Sequence, residues 1–304
     1  MRPDEVAFTS GESTCSAWYF AANGHRSAAG SRPVVVMAHG FGGTKDSGLE
    51  PFARRFVAAG IDVFAFDYRG FGASQGQPRQ SLSVRRQIAD YHSAVAAAKA
   101  LDGVDPDRIA LWGASFSGGH VLRVAADRED IGAVVALTPL TSGMAVGRAA
   151  ALSGGPRALV SSLRWTLTGV KSRIAVGRGQ APTLMPLVSQ PGGAGALGLD
   201  GAYESYLSLA GPTWRNEIDC AIGLEVVGVR STAAAKRLRC PLQVQIADFD
   251  RYVPAGAVAA TAEHGRAQVH RYPCDHFDVW PGHDWFDKTV EDQVAFLSRT
   301  LRVQ

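Results

Sequence analysis

A serine at position 115 stands in the run Arg108-Ile-Ala-Leu-Trp-Gly-Ala-Ser-Phe-Ser-Gly-Gly119. A serine hydroxyl attacks carbonyl carbon once a neighbouring base takes its proton, and this run has the form that would present one. Ile109 to Trp112 read as a short strand buried on both faces, and a helix-compatible stretch from His120 to Arg128 follows almost at once. A strand that turns into a helix over so few residues needs small neighbours, which Gly113, Ala114, Ser117, Gly118 and Gly119 supply. Such a turn lifts the Ser115 hydroxyl to the carboxyl edge of a sheet. It also sets the Phe116 N–H at a helix start, where it can donate to a developing oxyanion. Glycine-flanked serines also occur in plain tight turns, so the remaining parts of the apparatus decide the reading.

A base must be within hydrogen-bond reach of the serine, with a third group orienting it. His276 lies in Arg271-Tyr-Pro-Cys-Asp-His-Phe-Asp-Val-Trp280, a loop between the last expected strand and the last helix, on the same sheet edge as Ser115. Of the other histidines, His39 belongs to a His-Gly turn and His120 to the helix after the serine. His25, His92, His264 and His270 lack a loop context, and His283 is the nearest rival in sequence. Two acids follow the strand Leu242 to Ala247, Asp248 at its end and Asp250 at the start of the turn Asp-Arg-Tyr-Val-Pro254. Asp250 is favoured, and the other carboxylate then serves as a turn or capping group. His39-Gly-Phe-Gly-Gly43 follows a buried strand, and its glycines let backbone N–H groups face inward, which makes the Phe41 and Phe116 N–H groups the candidate oxyanion donors.

These residues need a scaffold that delivers them to one edge. Residues 4–22 alternate loosely around Gly11, as in a hairpin. Apolar runs at 33–38, 61–66, 109–112, 131–137, 242–247 and 267–272 read as strands, and helical spacing occupies 49–59, 81–101, 120–128, 255–264 and 284–302. Strand, loop and helix in repetition predict a mostly parallel sheet covered by helices on both faces. The loops after its strands are where open α/β proteins place their sites. Between 140 and 238 the texture changes to Gly, Ser, Ala and Pro with helical pieces at 145–152, 157–170 and 202–210. The simplest division is a core of 1–139 and 239–304 with a helical cap or lid at 140–238; a separate domain or a linker is the plainer reading.

The chain order Ser115, Asp250, His276 behind an H-G-F-G-G loop resembles the α/β-hydrolase superfamily over residues 33–139 and 240–302. Asp67-Tyr-Arg-Gly-Phe-Gly-Ala-Ser74 strengthens the likeness, because members carry D-x-R-G-x-G-x-S turns. W-G-A-S-F-S-G-G-H, D-H-F-D-V and T-W-R-N-E are similar to a set of capped bacterial, largely actinobacterial, members. The resemblance implies the α/β-hydrolase fold and a serine hydrolase of carboxylesterase type that cleaves an ester, with a thioester or amide next, through an acyl-enzyme and with no cofactor and no metal. An acyltransferase, cyclase or C–C lyase on a polyketide-like product is the alternative, and a non-catalytic binding protein is a third reading. An aspartate nucleophile, as in dehalogenase and epoxide hydrolase relatives, is not what stands at 115. The pentapeptide departs from G-x-S-x-G at Ser117, whose small hydroxymethyl group leaves room for the turn and whose hydroxyl is expected to bond helix backbone.

In the insertion, Trp165, Trp214, Leu184, Met185 and Leu187 could line an apolar substrate pocket, and Arg215 with Glu217 could reach a polar group; plain packing and a solvated ion pair are the bland alternatives. Composition narrows the partners. With 46% hydrophobic and 19% charged residues, a net charge of only +3 and no long basic run, a globular enzyme with a small-molecule substrate is expected, and nucleic acid is not. The first twenty residues lack a secretory apolar core, and no apolar stretch is long enough to span a bilayer, so a cytoplasmic chain is expected, with monomer and homodimer both open. Cys15, Cys220, Cys240 and Cys274 lack metal or redox spacing and are expected as buried thiols.

Overall fold

The computed structural model describes residues 2–22 and 31–303, with the side chains of 153–163 outside the description. His25 lies outside the described residues. The long apolar runs become the strands of one eight-stranded sheet in the order β1-β2-β4-β3-β5-β6-β9-β10. These are β1 (Asp4–Ser10), β2 (Ser13–Phe20), β3 (Arg32–Ala38), β4 (Asp62–Phe66), β5 (Val104–Ala114), β6 (Ala133–Leu137), β9 (Leu242–Ala247) and β10 (Gln268–Tyr272). The opening hairpin is antiparallel and joins β4 antiparallel, while the strands from β4 to β10 run parallel. Every residue of β3, β4, β6 and β9 is buried, as parallel strands covered on both faces require. In β9 this includes Gln243 and Gln245, so the Leu-Gln-Val-Gln alternation is no half-exposed strand. Gln245 donates from Nε2 to the Thr289 carbonyl and the Tyr272 hydroxyl, each at 2.9 Å, and accepts from Gln293 at 2.6 Å.

The covering helices are α1 (Leu49–Ala58), α2 (Val84–Lys99), α3 (Phe116–Ala126), α8 (Ala255–His264) and α9 (Phe286–Thr300). α1 packs on α9, and α2 packs on α3. The chain leaves β3 through α1 to β4 on one side and then returns to β5 on the other. The sheet therefore has its switch point between β3 and β5, where open α/β sheets form a crevice at the strands' carboxyl ends.

Two expectations shift. β5 begins at Val104 rather than at residue 109, and α3 begins at Phe116, directly after the serine, rather than at His120. Glycines at 118 and 119 read as turn residues on propensity, but packing decides otherwise: a Cβ on Gly119 would stand 2.2 Å from the Leu140 carbonyl oxygen. The close approach of the helix to the loop after β6 is what that glycine permits.

The segment between β6 and β9 adds no strand to the main sheet. It carries α4 (Gly143–Gly177), α5 (Ala202–Leu209), α6 (Ile222–Val227), α7 (Thr232–Lys236) and a two-strand antiparallel pair, β7 (Leu184–Met185) with β8 (Ile218–Asp219). Ser142 caps α4, its Oγ accepting from Ala145 N at 3.3 Å. The two helical pieces expected at 145–152 and 157–170 are one helix.

Candidate active site

At the end of β5, Ser115 adopts φ 55° and ψ −114°. An L-residue adopts positive φ only where its surroundings hold it there. Ser115 N donates to the Leu137 carbonyl at 2.8 Å, and Ser115 O accepts from Leu140 N at 2.7 Å, so the end of β6 holds the turn from both sides. The Ser117 hydroxyl accepts from Ala114 N at 2.9 Å and lies 2.9 Å from the Ala38 carbonyl and 3.0 Å from that of Ala114. It bonds the strand-end backbone of β5 and β3 rather than the helix backbone expected of it, and so links the serine turn to β3.

The loop after β3 lies against the serine. A Cβ on Gly40 would stand 2.8 Å from the Ala114 carbonyl, 3.1 Å from Ser115 Cβ and 3.5 Å from Phe116 N, so only glycine lets the two chain segments meet. The Phe41 and Phe116 rings touch edge to face at 5.8 Å. Behind the loop, Lys45 bonds Asp67 through its backbone N at 2.6 Å and through Nζ at 2.9 Å, and Ala73 N donates to the same carboxylate at 3.0 Å. The Asp67 to Ser74 turn thereby fixes the far end of the glycine loop.

His276 is buried, and its Nδ1 lies 2.6 Å from Asp250 Oδ2. The other oxygen of Asp250 accepts from Tyr252 N at 2.8 Å and Val253 N at 2.7 Å, which immobilises the carboxylate. Burial pulls the His276 pKa down, but the Asp250 carboxylate opposes it, and the net position is above the ordinary imidazole value of 6.5. Asp248, the other candidate acid, turns away to pair with Arg271 at 2.8 Å. Three of the competing histidines have other surroundings. His120 is buried against Gln87 at 2.9 Å with its pKa lowered to about 3 by burial. His39 is stacked on Trp280 at 4.8 Å, its pKa lowered to about 4 by burial. His283 is half-buried in the turn before α9, its N donating to the Trp280 carbonyl at 3.2 Å.

Two residues at this edge escaped the sequence reading. Asp275 accepts from His276 N at 2.8 Å and Arg251 N at 3.0 Å, and pairs with Arg251 Nε at 2.5 Å, clipping the acid loop to the histidine loop. Its position beside His276 in Cys-Asp-His was the available signal. Tyr206, on α5, donates its hydroxyl to the Phe41 carbonyl and is buried among Trp214, His39 and Phe277. No local pattern announces that contact, which spans 165 positions.

The insertion residues separate into two sets. Leu187 is fully buried on Gly42, its Cδ1 2.7 Å from where a Cβ would stand, and Trp214 is half-buried, 5.5 Å from the Tyr206 ring. Trp165 is 36% exposed, Leu184 is exposed and Met185 half-buried, and Arg215 and Glu217 are exposed. No contact places these five beside Ser115.

The protein-family model described as serine aminopeptidase, S33, of the α/β-hydrolase type, matches residues 29–275. The quorum-quenching protein AidA of Acinetobacter baumannii (strain MDR-ZJ06) is 32% identical over 305 residues, covering 99% of this chain and 96% of that one. The thiohydrolase aneE of Aspergillus aculeatus is 34% identical over 160 residues, 53% of this chain and 49% of that protein. Among solved structures, the α/β hydrolase GrgF from Penicillium sp. sh18 superposes with a TM-score of 0.80 at 24% identity, covering 99% of this chain and 100% of that one. A half-buried serine in forbidden backbone, a carboxylate-bound histidine on the same edge and a family match over most of the chain lead to one assignment: the chain belongs to the serine aminopeptidase S33 family of α/β hydrolases.

Proposed function

We propose that the chain is a serine hydrolase that opens a carboxylic ester or thioester through an acyl-enzyme. The observation that carries this reading is the buried 2.6 Å contact of His276 with Asp250 on the sheet edge that also presents Ser115. Ser115 Oγ attacks the carbonyl carbon while His276 Nε2 takes its proton. Asp250 holds the proton on Nδ1 and balances the imidazolium. The tetrahedral oxyanion is received by the N–H groups of Phe41 and Phe116. His276 then returns its proton to the leaving alcohol or thiol, and water repeats the sequence on the acyl-enzyme. The chemistry as written uses no cofactor.

Residues 140–238 act as the cap of the site in this reading. Its support is that Tyr206, Leu187 and Trp214 of the insertion sit on or beside the glycine loop. The same contact favours a second reading, acyl transfer to an acceptor other than water, since a cap that excludes water prolongs the acyl-enzyme. Relatives named thiohydrolase and polyketide transferase, alike over about half of this chain, point the same way. The full-length likeness to a quorum-quenching protein puts quorum-sensing signals in the first substrate panel.

The test is a panel of esters and thioesters of graded acyl length, assayed with and without an added alcohol or thiol acceptor. Hydrolysis as the native reaction predicts turnover that the acceptor leaves unchanged. Transfer predicts slow hydrolysis and a faster appearance of the acylated acceptor. Failure of every acyl substrate to yield product by either route contradicts both.

A further inference from the structure

α4 has 35 residues and, at ~1.5 Å per residue, a length of about 50 Å. Among its described residues beyond the first turn, Gly169 and Ser172 are the buried ones, and they meet the rest of the insertion. A Cβ on Gly169 would stand 2.7 Å from the Cys220 carbonyl, and Ser172 Oγ lies 2.6 Å from Asp219 Oδ1. The outer side is apolar. At roughly 100° per residue, Leu152, Leu167, Val170 and Ile174 fall within an arc of about 60°, opposite the buried pair. They are exposed by 86%, 55%, 40% and 49%. Beside this arc runs a second row, Arg164, Lys171 and Arg178, all exposed. The helix carries five Lys or Arg residues and no Asp or Glu, and of these Arg173 is engaged by Glu225.

We propose that this face of α4 docks on an anionic lipid surface, with the apolar arc set into the headgroup boundary and the basic row lying along the phosphates. Charge decides the occupant. If a second copy covered the face, two-fold antiparallel pairing would lay the Arg164–Lys171–Arg178 edge of one helix beside the same edge of the other, with no acid on either to compensate. A bilayer with negatively charged headgroups offers an apolar layer bordered by anions, which is the complement of an apolar arc bordered by cations. No described helix is long and apolar enough to cross a membrane, so the contact lies on the surface. The inference is independent of the reaction proposed above, because binding is read without turnover.

The test is co-sedimentation of the full chain with vesicles of phosphatidylcholine alone and with about one-third phosphatidylglycerol, at low and high salt. The expected result is binding to the anionic vesicles that weakens with salt. Both Leu167→Ser/Val170→Ser/Ile174→Ser and Arg164→Gln/Lys171→Gln/Arg178→Gln should weaken it by about tenfold or more, with melting temperatures unchanged. Each variant alters only exposed side chains, and either alone suffices for the test if the other fails to fold. Absence of wild-type binding to anionic vesicles, equal binding to neutral ones, or binding unchanged in a folded variant overturns the proposal. So does a wild-type dimer in analytical ultracentrifugation that the apolar variant splits, which would assign the face to a second copy. A wild type that binds an acidic protein but no vesicle overturns it equally.

Discussion

Ser115 and His276 differ in how the chain restrains them, and the difference predicts their titration behaviour. The serine is restrained by backbone, through bonds to Leu137 and Leu140, whereas the imidazole is restrained by charge. Because Asp250 holds the His276 pKa above 6.5 against the pull of burial, kcat/KM should rise with pH through a value above the ordinary imidazole range. The raised value also means that the charged pair stabilises the fold fully below about 6.5 and that this contribution is lost as pH rises through the folded value. In Asp250→Asn only the weaker influence of the Asp275 carboxylate still opposes burial, so the acid limb should move to lower pH while kcat falls by roughly 10³–10⁴. Asp248→Asn, which removes only a surface pair with Arg271, should leave the pH profile in place. The serine and histidine were legible because both sit in short segments with local grammar, a glycine-bounded turn and a strand-to-helix loop. The choice between Asp248 and Asp250 was a preference from turn position, and the contact to His276 is what separates them.

At the level of elements, the insertion is joined to the core by polar contacts that sequence cannot display. Asp219, at the end of β8, accepts from Ser172 on α4 at 2.6 Å, from Ser81 ahead of α2 at 2.8 Å and from Ala221 N at 2.9 Å. Asp219→Ala leaves these buried donors unmet and should cost about 2–4 kcal/mol, read as a lower denaturation midpoint. It should also raise the rate of proteolysis between β7 and α5. Tyr206→Phe tests the second link. It frees the Phe41 carbonyl and with it the orientation of the neighbouring peptides, so if Phe41 N–H is the oxyanion donor proposed above, kcat should drop by about tenfold with KM little changed, because such a donor matters in the transition state. Equal losses in kcat for the melting-neutral control Ser208→Ala, on the same helix but exposed, would show that α5 matters only as packing. The helical pieces of the insertion were visible as spacing, but their fusion into α4 was not, since Gly-Gly-Pro reads as a break wherever only local propensity is weighed.

For the molecule as a whole, the sheet was legible because its central strands are buried on both faces and therefore appear as uninterrupted apolar runs. Their order, and the switch between β3 and β5, were not legible and come from the structure alone. The reading was poorest where packing overrode propensity, at the start of α3, and where partners lie more than a hundred positions apart, as for Tyr206 with Phe41 and Ser81 with Asp219. What the scaffold delivers to one edge is a serine under backbone strain, a carboxylate-bound imidazole and a glycine loop in contact with both the serine turn and the insertion. The central claim is that this arrangement activates Ser115, and it is tested most directly by intact-mass spectrometry after exposure to a fluorophosphonate. The account predicts one adduct per chain on the wild type, absent from Ser115→Ala and from His276→Ala when both variants are folded. A folded wild type that stays unmodified, or an adduct that persists in Ser115→Ala, would contradict it.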